Sequence, residues 1–244
     1  LNLIDTPGHV DFAYEVSRSL AACDGALLVI DATQGVQAQT VANVNLAMKH
    51  NLHIIPVINK IDLPAADVDM CLDQMEEILA IPREEAIAVS AKEGTGIPEV
   101  LESIVRNIPP PKLVSMPGIS ALIFDSVYDS FRGVVTYLRV FNGSFRRGDK
   151  MRLLSTGLES EIKEVGVFKP SMAATPELSA GSVGYIIPNI KSPTETRIGD
   201  TVTEVKDPCA EALPGFQEIK PMVFSGIYPI DTADYDQLRF SMAK

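Results

Sequence analysis

The chain has 244 residues, a net charge of −11 at neutral pH and a hydrophobic fraction of 46%, enough apolar material for one large core or two ordinary ones. The acidic balance excludes a generally basic nucleic-acid-binding surface, since phosphate contacts need clustered Lys and Arg, and DNA is not expected as a partner. The longest apolar runs, Ala26 to Ile30 and Ile54 to Ile58, fall far short of the roughly 20 residues that span a bilayer.

Cys23, Cys71 and Cys209 are odd in number and far apart. They suggest neither a disulfide framework nor a C-x-x-C metal site, and they fit a reducing cytoplasm. Leu1 is not a methionine and no basic-then-apolar leader is visible, so a targeting segment upstream stays open.

In chain order, Leu1 to Ile4 read as the last turn of a buried strand, and Asp5-Thr6-Pro7-Gly8-His9 as a phosphate-site loop leaving it. Val10 to Leu20 follows as a candidate helix. From Gly25 to about Pro111 short apolar runs alternate with helical patterns, which predicts parallel strands with crossover helices. The strands are Gly25 to Ile30, His53 to Asn59 and Ala86 to Ser90. Between and after them lie helices with apolar faces Val41/Val44/Met48, Leu72/Met75/Leu79 and, after Pro98, Val100/Leu101/Ile104/Val105. Ile108-Pro109-Pro110-Pro111 ends this α/β domain, because proline cannot continue a helix.

Beyond Gly118, β-rich runs (Ala121 to Val127, Gly133 to Phe141, Lys150 to Leu154, Val183 to Ile190) are punctuated by glycine turns such as Asn142-Gly143 and Gly148-Asp149, which predicts a small closed barrel. A linker with Pro208 and Pro214 leads to a strand-like run, Lys220 to Ile227, and then to Asp231 to Lys244, which opens a helix. The expected division is 1–112 for a partial nucleotide-binding domain, 117–205 for the barrel and 217–244 for the start of an α+β third domain.

Three motifs carry the chemistry: Asp5-Thr6-Pro7-Gly8, Asn59-Lys60-Ile61-Asp62 and Ser90-Ala91-Lys92. Each sits at the carboxyl end of a predicted strand, and in an open parallel sheet ligands bind beyond those ends, so all three fall on one rim. Together they resemble the third, fourth and fifth signatures of the P-loop GTPases. That resemblance implies GTP and GDP as ligands, with Asp5 holding Mg²⁺ through its water shell and Gly8 offering its N–H to the γ-phosphate. It puts His9 where the superfamily keeps the residue that orients the attacking water.

Asp62 can accept two hydrogen bonds from the N1–H and exocyclic amine of guanine, neither of which adenine offers. Asn59 would brace the loop, the Lys60 stem would cover the base, and the N–H groups of Ala91 and Lys92 would meet guanine O6. No GxxxxGK[ST] occurs in the 244 residues, so the P-loop is expected upstream of Leu1 and the chain alone is expected to hydrolyse GTP poorly or not at all. His50 and His53 read as solvated or hydrogen-bonded residues. The basic cluster Arg146, Arg147, Lys150 and Arg152 reads equally as a solvated hairpin or an RNA contact.

"DTPGHVDF" followed by a glycine-punctuated barrel, with "RGVVTYLRVFNGSFRRGDKM" as its opening, resembles the translational GTPases. Within them the stretches "YEVSRSLAACDGALLVIDATQGVQAQT", "NKIDLPAAD", "ALIFDSVYDSFRG" and "LPGFQEIKPMVFSGIYPID" are most similar to the elongation factor 4 (LepA) family. The elongation factor G type carries an inserted subdomain between the second and third motifs, for which the 27 residues between Asp62 and Ser90 are too few. The BipA type differs after Phe12.

The resemblance implies a monomeric, ribosome-dependent GTPase that promotes back-translocation of tRNAs and fidelity under stress. Its implied partners are rRNA, ribosomal proteins and tRNA. The implied setting is the cytoplasm with peripheral association to the inner membrane, and organellar relatives leave the compartment open. The alternative is a non-catalytic ribosome- or protein-binding module.

Overall fold

In the computed structural model, which describes residues 1–8, 12–111, 117–190, 192, 195–214 and 225–242, the two longest apolar runs of the first half lie side by side. β1 (Gly25–Asp31) and β2 (His53–Asn59) pair in parallel, from Gly25 opposite His53 to Asp31 opposite Asn59. β3 (Ile87–Ala88) adds to the far side of β2, giving the order β1-β2-β3. Parallel strands need long crossovers, and helices supply them: α2 (Ala38–Lys49) between β1 and β2, and α3 (Val68–Leu79) between β2 and β3. α1 (Ala13–Ala21) precedes β1, and α4 (Ile97–Asn107) follows β3.

Alternate residues of the strands serve opposite faces of the sheet; the central strand β2 is buried on both, whereas Val29 of β1 is 59% exposed. Ile30 and Ile58 pack with Val44 of α2 and Cys71, Met75 and Leu79 of α3, while Ile55 and Val57 pack with Val100 of α4 and with Val89. Full burial of a side chain such as Met75 stabilises by roughly 1.5–3 kcal/mol. Val16 and Leu20 of α1 close a smaller cluster on Ala47.

Several expectations need correction. Residues 1–8 form no strand, and Leu1 and Leu3 are 89% and 87% exposed; a four-residue run with three apolar side chains but no ladder partner leaves its backbone groups to water. The α2 face is set by Val44 and Ala47, with Met48 half exposed. On α4 the inward row is Ile97, Val100 and Ile104, with Ile108 just past the helix end packed beside them, so Leu101 and Val105, one position round the helix, face outward. β3 is shorter than Ala86 to Ser90 because Ser90 leaves the ladder to bridge Thr95.

The second half is antiparallel. β4 (Ser120–Asp129), β5 (Gly133–Asn142), β7 (Lys150–Leu153), β8 (Glu159–Lys169), β11 (Val183–Pro188) and β12 (Thr201–Glu204) run in the order β11-β5-β4-β12-β7-β8. The pairing of β11 with β8 closes the ring, so no edge of these six strands is left open. β9 (Ser171–Ala174) extends β8, and β6 (Ser144–Arg146) pairs with β10 (Glu177–Ser179).

Period-two alternation fills the interior: Val134, Leu138 and Val140 of β5 meet Ala121, Ile123, Ile162, Ile186 and Val202. Arg146 is hydrogen-bonded to Glu177 (2.7 and 2.9 Å) and Arg152 to Glu159, so half of the basic cluster is neutralised by carboxylates across its strands.

Past the barrel, the Thr203 hydroxyl donates to Ile119 O (2.7 Å) and accepts from Cys209 N (2.8 Å), pinning the first part of the linker. Of the run Lys220 to Ile227, residues 220–224 lie outside the described residues and 225–227 are irregular and exposed. α5 (Tyr235–Met242) follows a short 3₁₀ turn in which Asp231 Oδ1 accepts from Ala233 N. Backbone contacts divide the chain into two compact units, Leu1–Val114 and Ser115–Lys244.

Candidate functional site

At the carboxyl end of the parallel sheet, the last residues of β1 and β2 and the turn after β3 converge. Beyond Asn59 the chain turns sharply, with Lys60 in the left-handed region at φ +69°, a conformation that costs a non-glycine residue on the order of 1–2 kcal/mol. The turn is held by Asn59, whose Oδ1 accepts from Lys60 N (2.8 Å) and from Ala91 N (3.0 Å). One amide oxygen thus joins the loop after β2 to the loop after β3.

The second loop is held from within. Ser90 is buried; its N–H donates to Thr95 O (3.0 Å), and its hydroxyl accepts from Glu93 N (3.1 Å) while donating to Asp62 Oδ1 (2.7 Å). That bond is the chief cause that holds the Asp62 carboxyl below the usual carboxylate range, so the exposed side chain is a fixed anion at neutral pH. Gly96 makes the return to α4 possible: its φ is +77°, and a Cβ there would stand 2.5 Å from Ala88 O.

Between the two loops lies a cleft of ≈ 300 Å³ lined by Asn59, Lys60, Asp62, Leu63, Ala91 and Lys92, a volume at the lower end of ligand pockets. A carboxylate, an ammonium stem, an apolar side chain and backbone amides are the groups a flat, polar-edged heterocycle needs. The hydrogen bonds and cleft therefore bring together Asn59, Lys60, Asp62, Ser90, Ala91 and Lys92. The Ala91 N–H, expected to face the ligand, is engaged by Asn59.

Asp5, Thr6, Pro7 and Gly8 do not line the cleft; they lie in irregular backbone, with Asp5 exposed. His9 lies outside the described residues, as do Val10 and Asp11. Among the described residues no cluster of three or more His, Cys, Asp or Glu side chains could hold a metal ion by itself.

Two groups escaped the sequence reading. Leu63, immediately after the motif, supplies the apolar part of the cleft. Asp31, the last residue of β1, stands beside Asn59 in the ladder and receives Lys60 Nζ at 2.6 Å. The signal was available: Asp31 is a carboxylate at a strand's carboxyl end, as Asp5 was expected to be.

The family described as elongation factor Tu GTP binding domain matches residues 1–110, and elongation factor Tu domain 2 matches residues 133–203. The whole chain is 57% identical to elongation factor 4 of Aquifex aeolicus, covering 41% of that protein. It is 56% and 53% identical to those of Gloeobacter violaceus and Bacillus cereus, covering 40% of each. The chain thus spans about two fifths of the length of these curated relatives.

Proposed function

Because the chain belongs to the translational elongation-factor GTPases, we propose that the complete protein is a ribosome-dependent GTPase that promotes back-translocation of tRNAs and supports accurate synthesis under stress. The observation that carries the nucleotide half of this reading is the Asp62 carboxylate, fixed at 2.7 Å by the buried Ser90 hydroxyl on the wall of the cleft. It accepts from guanine N1–H and the exocyclic amine; adenine would leave it facing an acceptor. The Lys60 stem covers one face of the base, and the Lys92 N–H meets O6.

The phosphates lie toward Asp5-Thr6-Pro7-Gly8. A single exposed carboxylate such as Asp5 suits Mg²⁺, which keeps most of its waters and takes its remaining ligands from phosphate oxygens. Bound there, the ion would neutralise charge on the β- and γ-phosphates. Gly8 offers its N–H to the γ-phosphate and passes its loss to α1, and His9 orients the attacking water. With no GxxxxGK[ST] in these 244 residues, the phosphate cradle comes from a segment outside them, and the chain alone turns over GTP poorly or not at all.

The ribosome, through its rRNA and proteins, and ribosome-bound tRNA are the proposed partners of a monomer that works in the cytoplasm and at the inner-membrane surface. No helix of the described residues is long and apolar enough to cross a membrane. The division into 1–112, 117–205 and 217–244 is part of the proposal.

The test measures GDP and ADP affinity and GTP turnover with and without ribosomes on the complete gene product. A preference for GDP on the order of 100-fold or more, lost in Asp62→Ala, and turnover raised by ribosomes are expected. Equal affinity for ADP, or turnover indifferent to ribosomes, overturns the reading.

A further inference from the structure

We infer that Asp31 is a positioning residue of the base site: its carboxylate anchors the Lys60 ammonium so that the aliphatic stem of that lysine is laid in place as one wall of the cleft before any nucleotide arrives. The inference rests on the proposed guanine reading of the cleft. A lysine stem has four rotatable bonds, and an exposed one covers a ligand face only by giving up most of that freedom, a cost in rotamer entropy among the largest of any side chain. A group that immobilises the stem in the free protein removes this cost from binding.

Three observations place Asp31 in that role. Its Oδ2 accepts from Lys60 Nζ at 2.6 Å although Lys60 is half exposed, so the pair bridges the ends of two neighbouring strands. Its other oxygen is fully used: Oδ1 accepts from Thr33 N (2.9 Å) and Thr33 Oγ1 (2.7 Å), which fixes the carboxylate plane and aims Oδ2 at the lysine. Lys60 itself is held at φ +69° by the turn that Asn59 braces, so backbone and ammonium are both fixed and only the stem between them lines the cleft. The Lys60 and Thr33 bonds together push the Asp31 carboxyl down to about 2, so the anchor is ionised at neutral pH.

The two oxygens allow the positioning role to be separated from a structural one. In Asp31→Asn the amide oxygen can keep both Thr33 bonds while the Nδ2 amine replaces the oxygen that holds Lys60. The turn survives; the anchor does not.

The experiment titrates a fluorescent N-methylanthraniloyl-GDP and the corresponding IDP onto the complete gene product and onto Asp31→Asn, Lys60→Met, the double variant and Asp62→Ala, with the melting temperature of each nucleotide-free protein alongside. The expected result is about a ten-fold loss of GDP affinity in Asp31→Asn, with the same factor for IDP because stem and ring meet face to face. Its melting temperature stays at the wild-type value, and the double variant binds no worse than Lys60→Met.

If Asp31→Asn binds GDP as tightly as wild type, or if the two losses multiply in the double variant, the inference is overturned while the guanine reading stands. If the loss appears only with a matching fall in melting temperature, Asp31 is structural and the inference fails. If Asp62→Ala leaves the preference for GDP over IDP untouched, the guanine reading fails and takes this inference with it.

Discussion

At the rim of the parallel sheet, Asn59, Asp62 and Ser90 are fixed by hydrogen bonds of 2.7–3.0 Å, yet Lys60, Asp62, Ala91 and Lys92 remain exposed. In the barrel the order is reversed: Leu138, Phe145, Ile162 and Val202 are fully buried and held by packing, with the ring of strands supplying the backbone hydrogen bonds. The contrast teaches where free energy is placed. Apolar burial in the barrel is non-directional and large in sum, which suits a region that has to persist. Directional bonds at the rim hold polar groups in place without covering them, which suits a region that has to meet a ligand.

The largest effect that could break this contrast is a core truncation. Leu138→Ala removes a fully buried side chain and is expected to destabilise the barrel by about 3 kcal/mol, the transfer and cavity contributions together. Leu63→Ala, at a position 39% exposed on the cleft, is expected to change stability by less than about 0.5 kcal/mol. Urea unfolding monitored by circular dichroism reads both. Similar costs for the two leucines would show that the rim is as much a packed core as the barrel.

The difference also explains what was legible in the sequence. Barrel strands announce themselves by alternation, as in Val134, Leu138 and Val140 facing inward, and the parallel strands by unbroken apolar runs bounded by Asp31 and Asn59. The residues around the cleft could be named because each follows a strand on the same rim.

What could not be read depends on neighbours far away in sequence. The α4 face was misplaced at Leu101 and Val105 because a helix with five apolar residues has two plausible rows, and only packing against β2 and Val89 chooses between them. Leu1 to Ile4 has strand composition, but composition supplies no ladder partner. The Asp31–Lys60 pair joins residues 29 apart, and no local pattern encodes it.

A smaller effect tests whether one amide can organise the rim. Asn59→Ala leaves Ala91 N and Lys60 N without their acceptor and uncouples the loops after β2 and β3. Guanine-nucleotide affinity is expected to fall on the order of ten-fold, with the barrel's unfolding midpoint unchanged. Isothermal titration with GDP checks the first and urea unfolding the second; an unchanged affinity would mean that the loops are held by something other than Asn59.

Among the polar contacts of the barrel, that of Tyr185 is one against which its packing can be weighed. The Tyr185 hydroxyl donates to Glu164 Oε1 at 2.7 Å, and burial, followed by that bond, pushes the phenol up to about 12. In the unfolded chain a tyrosine titrates near 10. A group whose pKa is raised on folding contributes stability that is complete below the unfolded value and is lost as pH rises through the folded one. The barrel should therefore weaken between about pH 10 and 12. Tyr185→Phe should be about 1 kcal/mol less stable at neutral pH and should lack that part of the alkaline loss. Identical alkaline profiles for the two proteins would remove Tyr185 from the account.

The smallest effect belongs to the rim and carries the opposite sign. Ser90→Ala takes away the hydroxyl that is the chief cause of the lowered Asp62 pKa, so the carboxyl of the variant returns toward the ordinary range. Guanine binding needs the anion. In the wild type the anion survives to a pH below the ordinary carboxylate range, and in the variant it is lost earlier as pH falls, so the acid limb of GDP affinity should move to higher pH. At neutral pH Asp62 is ionised in both proteins, and the loss should be only a few-fold, from a carboxylate less well aimed and from Glu93 N left without its acceptor. Titration of GDP at a series of pH values separates the two parts. A loss uniform in pH would mean that Ser90 acts only by shaping its turn, whereas a moving acid limb would show that a buried hydroxyl sets the charge of an exposed one-residue recognition group.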